Sequence, residues 1–377
     1  MNAPAFIPPS ARDEAWRLSP LRGWDFASYS APALPLITMP NKPDWADQHV
    51  ALVNGVPSAS HSLLAIEAAP DTLGAAALTA PGGEGAFAAW AGETAQGILD
   101  LSTLGPTVLL SLYAAGEGAL AANWLRLRVP AGQEFTLVEE LRGKGTHLLN
   151  TRLEILLDPG ARLRHIRIQD QSLRGFSVGS VWVQAAKDAH YHSTAIALGA
   201  GFARHEIAVE LLGGGARADL TSANLASNMR QGRGQHLDTT SYIHHAVADT
   251  QSNALTKSLL AKRGRAVFQG KIRVAPNAQK ISGHQLSRGL MLSEQADLKV
   301  KPELEIFADD VVCSHGATIG ALDDTQLFYL RSRGIPEAQA RQLLVQSFLA
   351  EVLEGIALAP VRQALDARLA LWLETQT

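Results

Sequence analysis

Residues 152–168, RLEILLDPGARLRHIRI, hold two short runs of alternating apolar and polar side chains on either side of one sharp turn. A period of two places successive side chains on opposite faces of a β-strand, and Asp, Pro and Gly between two such runs break the strand and redirect it. The pattern recurs outward from there, in 125–129, 135–139, 176–183 and 195–198, each bounded by Gly, Pro, Asp or a polar turn. Turn-like steps followed by fresh alternation stand at 159–161, 187–189, 214–216, 276–278 and 294–296. The alanines closing the first three lie 28 and 27 residues apart and those closing the last two 18 apart, as expected of strands stacked in irregular coils. The chain therefore reads as mainly β, with a parallel β-helix or a jelly roll as the architectures that fit.

A solenoid leaves unpaired backbone at its ends, so it needs a cap or a partner subunit. The change of pattern at Asp323 supplies a candidate cap. A short helix is expected over 326–331 behind Asp323 or Asp324 as N-cap, and Arg333-Gly334-Ile335-Pro336 is a stop followed by a restart. Over 336–353, Leu344, Phe348 and Val352 recur at helical spacing with Leu349 and Leu353 beside them, and over 361–373 Val361, Leu365, Leu369 and Trp372 form one stripe. These stripes either cover the solenoid end or dock a partner.

At the other end, Pro8, Pro9, Pro20, Pro32, Pro35, Pro40 and Pro43 interrupt any long helix, leaving room for short helical pieces around 12–18. Trp16 and Trp24 are expected anchors of this extended arm. Residues 44–125 contain no Lys or Arg and eight acidic residues, yet apolar segments at 63–66, 98–101 and 108–113 argue for folded short elements. The division is an N-terminal region over 1–100, a β-helix core over 101–322 and a C-terminal helical region over 323–377.

Composition narrows the function. The chain has 377 residues and 46% hydrophobic content, enough to fill a core, and a single cysteine. One thiol excludes an internal disulfide, a CxxC redox pair and any self-contained four-thiolate zinc or iron–sulfur site. Lys plus Arg (33) nearly balance Asp plus Glu (36), so the broad positive field of a nucleic-acid binder is missing. No signal-peptide pattern opens the sequence, and no segment approaches 18 uncharged apolar residues. The expected setting is the cytoplasm, without a membrane or nucleic-acid partner.

The twelve histidines are spread unevenly, and His190, His192, His205, His236, His244, His245, His284 and His315 are among those in the β-rich part. His190 and His192 face the same way on a strand, and His244 and His245 face opposite ways. His315 differs because Cys313 is two residues away; on an extended strand the thiol and imidazole share one face roughly 6–7 Å apart. Both are ligands suited to iron or zinc, and two ligands are an incomplete set that another coil or a second protein would finish. Upstream, alternation places Glu303 and Glu305 on one face and Leu304 and Ile306 on the other, which admits carbohydrate lyase or glycosidase chemistry. Gly264, Gly270 and Gly283 are too widely spaced for a nucleotide-binding loop.

The run KPELEIFADDVVCSHGATIGALDDTQLFYLRSRGI (301–335) resembles the SufD branch of the SufB/SufD family of iron–sulfur cluster assembly proteins. The likeness extends through RAVFQGKIRVAPNAQKISGHQLSRGLMLSEQAD (265–297) and, more loosely, QHLDTTSYIHHAVADTQSNALTK (235–257), where Ala248 stands in place of the proline usual in that branch. The SufB branch carries a cysteine shortly before the proline matching Pro302 and an acidic residue at the place of Gly316; residues 291–300 here contain no cysteine.

The resemblance implies a right-handed parallel β-helix between an N-terminal region and C-terminal helices, in a non-catalytic subunit of a SufB–SufC–SufD complex. It implies pairing with SufB through the β-helices, docking of the ABC-type ATPase SufC on the helical region, and a homodimer as an option for the isolated chain. Cys313 and His315 match the motif near the SufB interface, with His315 the stronger candidate for a metal contact or assembly role. Phe328, Tyr329, Arg331 and Arg333, with Leu344 and Phe348 on the following helix, match the SufC-docking side. No cofactor is expected to be held stably by this chain alone; iron or a forming cluster would pass through the complex, and ATP would act through SufC.

Overall fold

In the computed structural model of the chain, the alternation around Pro159 becomes strand β7 (His147–Leu157), a turn, and strand β8 (Arg162–Gln171), and the two strands lie in different sheets. The structure describes residues 6–10, 12–30, 41–58, 85–95, 98–229 and 233–376. Strands are numbered in chain order. The ten-stranded sheet runs β18 (Val311–Ala321), β16 (Ile281–Met291), β14 (Gln251–Leu260), β12 (Arg217–Ala226), β10 (His190–Ala197), β8, β6 (Glu134–Lys144), β4 (Thr107–Ala115), β1 (Gln48–Val53) and β2 (Val56–Pro57). The eight-stranded sheet runs β17 (Asp297–Ile306), β15 (Arg265–Val274), β13 (His236–His245), β11 (Phe202–Leu211), β9 (Phe176–Ala185), β7, β5 (Ala119–Val129) and β3 (Ile98–Asp100).

From β3 onward successive strands alternate between the sheets, and each pairs in parallel with the strand two places away. That is a parallel β-solenoid, with the strand ladder beginning at β1. The antiparallel pairing a jelly roll needs occurs among the described ladders only at the β1–β2 hairpin.

The turns expected at 159–161, 187–189, 214–216 and 276–278 all fall at the corner leading from the eight-stranded to the ten-stranded sheet, and 294–296 falls at the opposite corner. This explains the short last spacing. At the first corner Gly160 and Gly215 have φ of 71° and 79°, left-handed values that glycine adopts freely. The N–H of Gly160 donates to the Lys187 carbonyl, Asp188 to Gly214 and Gly215 to Asp249, so the corners themselves stack. Ala161, Ala189, Ala216 and Ala278 are fully buried just beyond.

Which face looks inward differs from what hydrophobicity alone would favour. On β8 the inward side carries Leu163 together with His165 and Arg167, while Ile166 and Ile168 point outward into a second apolar cluster. That outer cluster joins Leu109, Val138, Ile196, Leu225, Leu259 and Leu290, with one or two residues from each of β4, β6, β8, β10, β12, β14 and β16, to helices α3 (Glu337–Glu354) and α4 (Ala359–Glu374). Val345, Leu349, Val352 and Leu353 of α3 and Val361, Leu365, Leu369 and Leu373 of α4 form the buried stripes, with Trp372 partly buried beside them. The helices thus lie along the side of the solenoid, over its long apolar outer face, and not across its end. A cap at the end is the expectation that fails, because burying an apolar stripe from many coils stabilises more than covering one terminal coil.

The N-terminal arm covers the other sheet. Its short helical piece is Glu14–Trp16, and Trp16 is buried against Phe87, Phe176 and Phe202. Trp24 is half-buried, edge-on to Phe176 at 4.7 Å. Helix α1 (Ala86–Thr94) adds Phe87 and Trp90 to the same cluster. Arg204 holds the arm down: it stacks over Trp16 at 4.0 Å, donates to the Ala15 carbonyl at 2.8 Å, and pairs with Asp238 at 2.8 Å and Glu206 at 2.7 Å. The apolar segment at 63–66 and Pro32, Pro35 and Pro40 lie outside the described residues.

Candidate functional site

The last coil consists of β17 and β18, each the edge of its sheet. Ile306, Phe307, Val312 and Ile319 on this coil are 39%, 56%, 67% and 53% exposed, a cluster of large apolar side chains beside two unpaired strand edges. Edges of this kind template another chain unless they are covered, and α2 (Asp324–Ser332), α3 and α4 leave them open.

Cys313 and His315 share the inward side of β18, as the alternation required. Cys313 pairs in register with Gly283 and packs partly buried against the solenoid core. Burial raises its thiol pKa, against a Gly283 backbone N–H that favours the thiolate. Such a sulfur stays protonated and is a poor nucleophile. A Cβ placed on Gly283 would stand 3.3 Å from Cys313 Sγ and 3.5 Å from His245 Nε2, so the glycine leaves sulfur and imidazole as near neighbours across the interior. His245 is buried, bonded to Thr250 Oγ1 at 2.8 Å and Ser252 Oγ at 2.9 Å, and burial pushes its pKa down to about 4. It is a neutral structural imidazole, and His244 faces the other way toward Glu210 at 3.5 Å.

His315 pairs in register with Gln285. Gln285 is buried, whereas His315, on the next coil, is exposed, and its side chain makes no hydrogen bond or ion pair among the described residues. Beneath it the interior is polar and incompletely paired: Gln285 Oε1, Ser287 Oγ and Ser258 Oγ are buried without a partner. The end of the solenoid therefore offers one open imidazole above a polar floor. Two protein ligands do not close a metal site.

Glu303 and Glu305 do lie on the face opposite Leu304. Glu303 is 3.2 Å from Lys301, and Glu305 is 2.8 Å from Lys271, whose ammonium holds its carboxyl below the usual range. A glycosidase acid needs a raised pKa, and Glu305 is shifted the opposite way.

On the helical side, Phe328 and Tyr329 are 72% and 57% exposed, and Arg333 lies over the Tyr329 ring at 5.3 Å. Arg331 reaches Glu337 at 3.4 Å. Leu344 is half-buried, and Phe348 turns back onto the solenoid, where Lys257 sits 5.2 Å from its ring and donates to its carbonyl at 2.6 Å. The outward face thus centres on Phe328 and Tyr329.

Two clusters escaped sequence reasoning because register, not spacing, builds them. Glu139, fully buried, pairs with Arg167 at 2.6 Å and His165 at 3.2 Å; burial would raise its pKa, and the Arg167 charge together with the His165 hydrogen bond outweighs it to hold the carboxyl down to about 2. His190 and His192, correctly placed on one face, meet Asp219 with ligand atoms within 4.8 Å of one another. Arg217 and Asn253 already occupy that carboxylate alongside His190, making a closed polar group.

The family described as SUF system FeS cluster assembly, SufBD core domain, matches residues 112–348. Iron-sulfur cluster assembly protein SufD of Escherichia coli is 33% identical over 258 residues, covering 68% of this chain and 60% of that protein. An iron-sulfur cluster assembly SufBD family protein of Mycobacterium tuberculosis is 31% identical over 380 residues, covering 96% of this chain and 89% of the relative. SufD of Bacillus subtilis is 36% identical over 136 residues, 36% of this chain and 31% of that one.

Proposed function

Because the chain belongs to the SufB/SufD family of iron–sulfur cluster assembly proteins, we propose that it is the SufD-like, non-catalytic subunit of a complex with SufB and the SufC ATPase. The observation that carries this reading is the open terminal coil. An apolar cluster of Ile306, Phe307, Val312 and Ile319 flanks two free strand edges, and pairing with a second solenoid would continue both sheets.

In this reading SufB completes what Cys313 and His315 begin. His315, inward-facing but uncovered, would contact iron or a forming cluster at the seam, and Cys313, held protonated and partly buried, would support the strand. The chain holds no cluster by itself. Phe328 and Tyr329 on α2, with Arg331 and Arg333, would receive SufC, whose ATP-driven movement is transmitted through helices seated along six or more coils of the solenoid. The setting is the cytoplasm, and no helix among the described residues is long and apolar enough to cross a membrane.

The test is co-expression with SufB and SufC, anaerobic isolation, and measurement of complex mass, iron and sulfide. A complex containing all three chains with iron and sulfide bound is expected. A chain that purifies alone and cleaves acidic glycans would instead support carbohydrate chemistry at Glu303 and Glu305.

A further inference from the structure

A cleft of roughly 720 Å³ lies between the N-terminal arm and the first residues of β13, β15 and β17, and its charge is one-sided. Arg22, Arg233, Arg263, Arg265 and Lys299 line it, against the single carboxylate of Asp297. This concentration stands out in a chain whose formal net charge is −3. Several surface arginines elsewhere are tied to acids, among them Arg128 to Asp158 at 3.0 Å, Arg174 to Glu117 at 2.5 Å and Arg217 to Asp219 at 2.7 Å. Among the described residues Arg22, Arg233, Arg265 and Lys299 have no ion-pair partner, although Arg265 and Asp297 are direct neighbours in register.

Like charges brought together without counterions repel, and they keep their hydrogen-bonding capacity for an anion that enters. Guanidinium groups bind phosphate oxygens through paired N–H donors, and lysine adds a point charge. The volume falls within the range of small-molecule sites, about 300–1,000 Å³. Trp24 and Phe202 give the wall an aromatic part, and the ring of His236 stacks on Phe202 at 5.1 Å. The imidazole of His236, bonded to Ser19 Oγ at 2.9 Å, thus reports from within the lining.

The geometry points to a binding site for a small molecule bearing two or more phosphate groups, either inorganic pyrophosphate or a nucleoside diphosphate. The site lies against the N-terminal arm at the start of β17, apart from Cys313 and His315 on β18, and it involves no covalent step.

Isothermal titration calorimetry of the full chain with pyrophosphate and with ADP, at fixed ionic strength, tests it. Both should bind with submillimolar affinity, and Arg265→Ser combined with Lys299→Ser should weaken binding by about tenfold or more, as loss of charged hydrogen bonds does. The paired-arginine control Arg174→Ser should leave affinity unchanged, thermal melting should show both variants folded, and the His236 ring resonances should move on titration. Tighter binding of ADP than of pyrophosphate assigns the aromatic wall to the nucleoside; equal binding assigns the site to phosphate alone. Absence of binding at millimolar ligand, unchanged affinity in the folded double variant, or binding of duplex DNA without binding of either small probe would overturn the proposal.

Discussion

Gln285 and His315 are in-register neighbours on β16 and β18, and one coil of stacking separates a side chain 2% exposed from one open to solvent. Both occupy the inward side of the ten-stranded sheet. His315 is inward in direction and outward in exposure only because nothing stacks beyond β18, which makes the terminal coil an unfinished interior.

His315→Ala should therefore leave the isolated chain's stability within about 0.5 kcal/mol, the range of surface changes away from packed features. In cells the same substitution should lower iron–sulfur enzyme activity while the complex still assembles. Full activity with normal assembly would remove His315 from the site.

Gly283→Val should be far more damaging than its position near the surface coil implies. A Cβ alone comes within 3.3 Å of Cys313 Sγ and 3.5 Å of His245 Nε2, and two further methyls must displace one of them. Overpacking of this kind costs about 1–3 kcal/mol, to be read from denaturant unfolding. Cys313 should also alkylate slowly at neutral pH, since burial keeps the thiol protonated.

Arg204 and Asp238 are both fully buried at their side chains, 2.8 Å apart. Asp238→Ala leaves the guanidinium facing Glu206 alone under Trp16, and removal of one partner of a buried pair costs about 3–5 kcal/mol. Thermal unfolding measures this loss, and limited proteolysis should show the N-terminal arm released first.

Stability should fall as pH drops from about 6.5 toward 4. Burial lowers the pKa of His147 and His245 to about 4 and of His205 to about 3, so the unfolded chain takes up protons that the folded chain refuses. The contribution of each is fully present above the unfolded pKa and is lost as pH falls toward the folded value, with upper bounds of about 3 kcal/mol for His147 and His245 and about 5 kcal/mol for His205. Glu139, depressed to about 2, adds a later loss between its ordinary value and that point. Urea midpoints at pH 7.5, 5.5, 4 and 3 check the order.

Much of the solenoid is legible in the sequence because corners need Pro159-Gly160 or Gly214-Gly215 and strands need alternation, and both are local signals. The parity of β8 is not local. Ile166 and Ile168 look like core residues and face the helices, while Arg167 looks like a surface residue and meets Glu139 one coil away. Cys313 and His315 stood out by spacing alone, but the exposed Phe307, Val312 and Ile319 did not, since a strand reads as apolar whether or not another coil covers it. Phe348 was misleading for the related reason that a helical stripe does not reveal which apolar surface it meets.

The central claim is that the free edges of β17 and β18 are the surface on which SufB pairs. The most direct measurement is the native mass of the complex formed on co-expression with SufB, for the natural chain and for Val312→Asp with Ile319→Asp. The natural chain should give a heteromeric mass, and the double variant, with unchanged melting of the isolated chain, should lose it by weakening association about a hundredfold or more. A heteromer that persists undiminished in the folded double variant would contradict the assignment of this edge.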